Sequence, residues 1–408
     1  MPRQPGEIDS ASFRLLLARG IGPATRRKLI EHFGSAEAAV SASILALADI
    51  PGVGRRTAAA LREAIERAEV ERERAAMDQH GVALITREDD DYPPLLRKIP
   101  DPPGALWIRG ALRPDDAISM AIVGSRRCTA YGREQSARFA GLLAQSGFTI
   151  ISGGALGVDG EAHRAARRAG GRTVAVLGSG LARPYPREHE SLFAAMAADD
   201  GAVISEHPMH AEPVAANFPR RNRIIAGLAL GVLVIEAAER SGALITARLA
   251  AEDHGREVMA VPGRVDSPAS AGSLKLIRDG GAAMVLDHGD VIAQIESATH
   301  LLKAANVATG LLPDGAPVPP AAAESGVGPE PAVDPVREHN LTDGQRAVLR
   351  ALRERSASDE PVLLDQLVEA TQLPVSRIMP ELTLLQLRGL VRRDHRGVML
   401  VRRESRRR

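Results

Sequence analysis

Cysteine, lysine and aromatic residues are all scarce in this 408-residue chain, and each scarcity narrows its chemistry. The single cysteine, Cys128, excludes an internal disulfide and any multi-cysteine zinc site, which fits a reducing compartment. Aromatics make up 2% of the residues, one Trp, three Tyr and six Phe, so aromatic stacking cannot dominate any binding energy. Only Lys28, Lys98, Lys275 and Lys303 are lysines among 52 basic residues, and the other cations are guanidinium groups. That bias is as expected of a GC-rich genome as of selection for arginine chemistry. Net charge is only +1, so an anion-binding surface must come from local clustering. The longest apolar run, Ile224 to Ala238, is too short for a membrane span and contains Glu236. Met1 to Ser10 lacks the apolar core of a secretion signal, and the expectation is a cytoplasmic protein without membrane partners.

The residues that are present fall into four regions, 1–75, 76–300, 301–338 and 339–408. The first is helical by pattern, with Gly20-Ile21-Gly22-Pro23 and Pro51-Gly52-Val53-Gly54 each opening a helix, Thr25–Phe33 and Arg56–Glu69. Glycines allow the tight turn and leave N–H groups at the next helix start that can hold a phosphate. The duplicated spacing resembles a pair of helix-hairpin-helix units, and it equally fits a compact bundle whose turns merely need glycine. Residues 77–115 read as a mixed connector punctuated by Pro93-Pro94 and Pro102-Pro103-Gly104, with Trp107 in an apolar run that suits a core.

From 118 to 290 the pattern repeats strand, glycine turn and helix. The strand-length runs are Ile118–Val123, Phe148–Ile151, Thr173–Leu177, Ala202–Ile204, Val232–Ile235 and Val258–Val261. None alternates, as expected of a parallel sheet covered on both faces. The fold class is α/β, an extended Rossmann-like, doubly wound, mostly parallel sheet, flanked by an all-α N-terminal domain and a C-terminal winged helix. Residues 301–338 are an Ala/Pro/Gly linker. Beyond them, helices over Leu341–Leu352, Val362–Thr371 and Ser376–Gly389 precede a hairpin over Leu390–Asp394 and Gly397–Arg402. This last region, net +5 and ending in Arg406–Arg408, suits a DNA contact or a protein contact.

In such sheets ligands bind beyond the carboxyl ends of the strands. Those ends carry Gly124-Ser125-Arg126-Arg127, Ser152-Gly153-Gly154, Gly178-Ser179-Gly180, Ser205-Glu206, Glu236 with Ser241-Gly242-Ala243-Leu244-Ile245-Thr246, and Pro262-Gly263. Glycine and serine at every end make a rim for phosphates. No turn has the dinucleotide fingerprint or the P-loop pattern, so neither cofactor use nor nucleoside triphosphate hydrolysis is expected. Most informative is Phe218-Pro219-Arg220-Arg221-Asn222-Arg223-Ile224-Ile225, with three arginines crowded before a buried run. Phosphodiester oxygens match such guanidinium forks, and Phe218 offers a face to a base.

Asp159 and His163, four apart on one helix face, fit an acid/base pair, but a dipole-favoured carboxylate beside a hydrogen-bonded histidine explains them more simply. No third ligand completes a metal site. Glu206 and Glu236 are expected to pair with the arginine cluster. A nucleotide N-glycoside hydrolase on the same fold and a winged-helix regulator are the rival functions. The first normally carries a Pro-Gly-Gly-x-Gly-Thr loop that this chain lacks.

Four motifs in order, Ile122-Val123-Gly124-Ser125-Arg126, Ser152-Gly153-Gly154-Ala155 with Gly157-Val158-Asp159, Phe218–Leu228, and Ser241–Ala247, resemble the DNA-processing protein A family, also called Smf. The resemblance implies a single-stranded DNA-binding protein, without catalytic residues, metal or cofactor. It also implies delivery of incoming DNA to the RecA recombinase in natural transformation, and a homodimer. The residues carrying DNA binding would be Gly124, Ser125, Arg126, Gly153, Gly154, Phe218, Arg221, Asn222, Arg223, Ser241 and Thr246. The chain departs from the family pattern at Ala182 and His189 around Tyr185-Pro186, and at Leu274.

Overall fold

The computed structural model describes residues 3, 4, 7–296, 341–355, 361–394 and 397–401. The 301–338 linker and Arg406–Arg408 lie outside them. The chain forms two compact units, residues 1–144 with 148–284, and residues 145–147 with 285–408.

Nine strands build the sheet of the first unit: β1 Val82–Thr86, β2 Ala105–Gly110, β3 Ser119–Val123, β4 Thr149–Ser152, β5 Thr173–Leu177, β6 Ala202–Ser205, β7 Gly231–Val234, β8 Glu257–Ala260 and β9 Ala283–Met284. Their order is β1-β2-β6-β5-β4-β3-β7-β8-β9. All pairs from β6 to β9 are parallel. β2 runs antiparallel to β6 and β1 antiparallel to β2. The six expected parallel strands are present, and every residue of β3 to β7 is buried, as helices on both faces require.

The connector at 77–115 is not merely a connector: it supplies the two antiparallel strands that extend the sheet. Its apolar runs are short and separated by proline turns, which hid them. Trp107 lies in β2 and is 2% exposed, in the core as expected. It packs with Phe13, Met77, Phe193 and Met209 in a cluster that also ties the first helices to the sheet. On the other face Ile224, Ile225, Ala226 and Leu228 pack against β3, β4, β5 and β7 residues, which fixes the arginine-bearing helix Asn217–Leu228 on the sheet.

The N-terminal helices include Pro23–Phe33 and Arg55–Glu66, whose caps are Gly22 and Gly54 without a side-chain cap. Gly20 and Gly52 precede them with φ of 85° and 84°, the left-handed conformation that makes glycine necessary there. The buried ion pair Arg172–Asp116 braces the other end of the sheet. Its fork is bidentate, Nε to Oδ1 at 2.9 Å and Nη2 to Oδ2 at 2.8 Å.

Within the second unit, helices Asp343–Arg355, Leu364–Thr371 and Val375–Leu387 precede the antiparallel strands β10 Val391–Asp394 and β11 Gly397–Leu400. Val348, Leu352, Leu367, Ile378, Leu382 and Leu385 form its core. This is a winged helix, with elements within a few residues of those expected.

Candidate nucleic-acid interface

Chain order reverses between β3 and β7. Strands β3 to β6 step one way across the sheet, and β7 and β8 lie on the other side of β3. The loops leaving these two strands diverge, and a cleft of about 700 Å³ opens between them. Such a switch point is where open α/β sheets take ligands.

The cleft gathers Gly124, Ser125, Arg126, Phe218, Arg221, Asn222, Ser241 and Thr246 from the expected set. It also gathers Arg127, Arg240, Tyr185 and Asp159, which were not singled out for binding. Arg127 and Arg240 directly neighbour expected residues and could have been found by that adjacency. Gly153, Gly154 and Arg223 do not line it.

Three of the loops are locked to one another by backbone bonds. Ser125 N–H donates to the Glu236 carbonyl at 2.7 Å, and Val158 N–H donates to the Ser125 carbonyl at 3.2 Å. Ser125 Oγ accepts the Arg127 N–H at 3.1 Å. Gly157, with φ of 78°, must be glycine, because a Cβ there would lie 2.3 Å from the Ser125 carbonyl oxygen. The loops after β3, β4 and β7 thus hold each other in place. Ser241 caps the helix Gly242–Arg248, and Asn222 Nδ2 reaches the Gly242 carbonyl at 3.4 Å.

The three crowded arginines have different fates. Arg221 is 3% exposed and points inward. Its Nη1 donates to the Gly153 carbonyl at 2.6 Å and to the Val176 carbonyl, while Nε has no partner among the described residues. Asp159 lies across Gly153 from it: a Cβ on Gly153 would be 2.7 Å from the guanidinium and 2.8 Å from Asp159 Oδ2. Burial pushes the Asp159 carboxyl up to about 6, against the Arg221 charge and N–H bonds from Ala155 and Gly153 that pull it down. Burial lowers Arg221 to about 10, and it stays cationic at neutral pH.

Arg223 turns away from the cleft and grips Glu206 bidentately at 2.9 and 2.7 Å, with a further bond to Asp101 Oδ2 at 3.1 Å. Burial alone would lower the Arg223 pKa, but the carboxylate bonds raise it. Arg220 is exposed. Glu206 therefore pairs with the cluster as expected, whereas Glu236 does not. Glu236 is buried and accepts from Thr129 N–H at 2.9 Å and Thr129 Oγ1 at 2.5 Å, anchoring the start of the helix Ala130–Gln145.

His163 is fully buried with Nδ1 2.6 Å from Thr173 Oγ1, and burial depresses its pKa to about 3. It is a neutral packed side chain outside the cleft, in keeping with the simpler explanation. His189, at one of the family departures, brings Nδ1 to 2.9 Å from the Gly154 carbonyl and so ties the loop after β5 to that after β4.

What remains free at the cleft is cationic. Arg126, Arg127 and Arg240 are exposed, and none forms a salt bridge among the described residues. The Arg126 guanidinium carbon stands 5.2 Å from the Phe218 ring centroid. Tyr185 meets the same ring edge-on, at 5.5 Å and 63°, and the Gly178 backbone abuts it, since a Cβ there would be 3.1 Å from a ring carbon. Phe218 is half-buried by these neighbours. With four arginines and one aspartate in its lining, the cleft can hold phosphodiester oxygens. Among the described residues no three His, Cys, Asp or Glu side chains gather to hold a metal ion. No helix among them is long and apolar enough to cross a membrane.

A family model described as DNA recombination-mediator protein A matches residues 83–296. A SAM-like helix-hairpin-helix tandem matches 13–67, and a DprA winged helix domain matches 330–395. Protein Smf of Synechocystis sp. is 34% identical over 390 residues, 92% of this chain and 94% of that relative. Protein Smf of Escherichia coli is 44% identical over 226 residues, 55% of this chain and 60% of that relative, so that match spans less than two thirds of its length. In structure the chain is similar to DNA processing protein A from Streptococcus pneumoniae, at 34% identity and a TM-score of 0.59, covering 70% of this chain and 98% of that one.

Proposed function

The chain belongs to the DNA recombination-mediator protein A family, DprA/Smf, and on that premise we propose that it binds single-stranded DNA at the cleft between β3 and β7. The observation that carries this reading is the set of three exposed guanidinium groups, Arg126, Arg127 and Arg240, without a salt bridge among the described residues, around a glycine-rich switch-point cleft. Their charges are uncompensated, and a sugar-phosphate backbone would compensate them. Gly124, Ser125, Asn222 and Ser241 shape the phosphate path beside them. Thr246 lines the same cleft, and Gly153 and Gly154 support it from behind. Arg221 and Arg223 act as positioning residues, the first holding the Gly153 loop, the second clamping the loops of Asp101 and Glu206.

Binding without turnover fits the lining. Among the described residues its one carboxylate, Asp159, holds two backbone N–H groups, and no histidine lines the cleft to serve as general acid or base. A nucleotide hydrolase would release free base from nucleoside monophosphates, and none is expected here. Delivery of the strand to RecA, a role in natural transformation, a homodimeric state and a cytoplasmic location are supported by kinship with recombination mediators. Each is part of the same proposal.

Mobility-shift titration of single-stranded against duplex oligonucleotides across a salt series tests the reading. The expected result is tighter binding of single strands, weakening steeply with salt. Preference for a defined duplex would shift the role to the winged helix and favour a regulator.

A further inference from the structure

Helix-turn-helix folds, the winged helix among them, read duplex DNA with a recognition helix whose outer face is polar and free. In this chain that helix is Val375–Leu387, and its outer face is neither. Ile378, Leu382 and Leu385 face the core of the domain. With about 3.6 residues per turn, the opposite side falls to Pro380, Thr383, Leu384 and Leu387, all apolar but one. Thr383 is 2% exposed and Leu384 is fully buried, although neither belongs to that core. No residue from Ile378 to Gly389 is exposed.

Upstream segments of the same unit meet the domain at two points. Residues 288–296 are helical, and Val291, Ile292 and Ile295 on them are buried. At the end of that run the Glu296 carboxylate accepts from Thr383 Oγ1 at 2.7 Å and pairs with Arg393 Nη2 on β10. One largely buried carboxylate thus bridges the recognition helix and the wing. The second point is Gln345 on the helix Asp343–Arg355, fully buried, whose Nε2 donates to the Ser146 carbonyl at 3.2 Å. Residues 285–296 carry Asp287, Asp290 and Glu296 and no lysine or arginine, which suits them to a basic domain.

We propose that the winged helix is an intrachain docking module and not a DNA reader: its recognition helix and wing hold the acidic segment 288–296, with Glu296 as the anchor. A hydroxyl and a guanidinium are donors that a DNA phosphate takes, so a docked Glu296 and a duplex would compete for Thr383 and Arg393. The docking stands apart from the cleft, and loss of the single-strand reading would leave it untouched.

The test uses the full chain and two measurements, hydrogen exchange and duplex affinity. Glu296→Ala is expected to speed amide exchange in residues 378–387 about tenfold or more, while β3 to β7 keep their protection. Glu296→Gln retains an acceptor for Thr383 and should speed it less. Thr383→Val removes only the hydrogen bond and should give about a fivefold change, which keeps the test open if Glu296→Ala unfolds the domain. Duplex affinity should match the parent's in Glu296→Ala, and also in Arg377→Glu with Arg392→Glu, two exposed guanidinium groups beside the docked face. Unchanged exchange in both Glu296→Ala and Thr383→Val would mean that segment 288–296 does not hold the helix, and the proposal is wrong. A large gain of duplex affinity in Glu296→Ala, lost again on adding Arg393→Ala, would make the segment a mask over a reading surface and equally overturn it. So would a loss of duplex affinity in Arg377→Glu with Arg392→Glu.

Discussion

Arg126 and Phe218, 92 residues apart in sequence, form a cation–π contact with 5.2 Å between guanidinium carbon and ring centroid. The contact joins the loop after β3 to the start of the helix Asn217–Leu228 at the mouth of the cleft. It aims an otherwise mobile charge at one place.

Arg126→Glu should therefore lower single-strand affinity at least tenfold at moderate salt. It removes one charge-assisted contact of about 1.5–3 kcal/mol and adds repulsion. Arg126→Ala should reduce the slope of log affinity against log salt by about 1. Arg126 is exposed, so the melting temperature should be unchanged in both variants. Titrations at several salt concentrations with a thermal melt decide the point; unaltered affinity in a folded variant would move the strand elsewhere.

Arg223 should behave differently, although it lies in the same run of arginines. Its fork to Glu206 is largely buried, with side-chain exposures of 15% and 17%. Arg223→Ala leaves the Glu206 carboxylate without its partner and should cost about 3 kcal/mol of stability. The double variant with Glu206→Ala should recover part of that loss. A double-mutant cycle of denaturant melts measures this coupling. A stable Arg223→Ala chain with much reduced DNA affinity would return Arg223 to direct contact.

Gly157→Ala tests whether loop geometry, not only side-chain charge, makes the site. The new Cβ meets the Ser125 carbonyl at 2.3 Å, in a backbone conformation of φ 78°. The loops after β3 and β4 must part, costing about 1–3 kcal/mol. Affinity should fall although every arginine remains. Gly141→Ala, outside the cleft lining and with a Cβ that meets only the Ala165 carbonyl oxygen at 4.0 Å, is the matched control and should weaken neither stability nor binding.

These contrasts mark where sequence reading reaches and where it stops. The parallel strands were legible because burial on both faces leaves uninterrupted apolar runs, as in Thr173–Leu177. β1 and β2 were hidden because Val82–Thr86 and Ala105–Gly110 are short and set among proline turns. That Arg126 and Ser241 line the cleft was legible because a switch-point sheet opens its cleft between strand-end loops. The separate fates of Arg221 and Arg223 were not, because each partner is distant in sequence: Val176 and Gly153 for one, Glu206 and Asp101 for the other. Glu236 misled for the same reason, its partner Thr129 lying 107 residues away.

Asp159 gives the site a pH dependence whose sign is fixed by its surroundings. Its folded-state pKa is raised, mainly by burial, to about 6 from an unfolded value of 3.8. The folded chain therefore binds the proton more tightly than the unfolded chain between these values. Stability contributed by this group falls as pH rises from about 4 to about 6, and above that the cost of a buried charge is fully present. Phosphates prefer the protonated form, since it removes the one negative charge in the cleft lining. The facing groups do not reverse this: Arg221 stays charged, and His163, depressed to about 3, stays neutral over the window. Single-strand affinity should rise severalfold between pH 7.5 and pH 5. Asp159→Asn should bind at pH 7.5 about as well as the parent does at pH 5, with most of the pH dependence gone. Fluorescence anisotropy with a labelled oligo-dT at constant ionic strength measures both curves. An unchanged slope in Asp159→Asn would place the titrating group elsewhere.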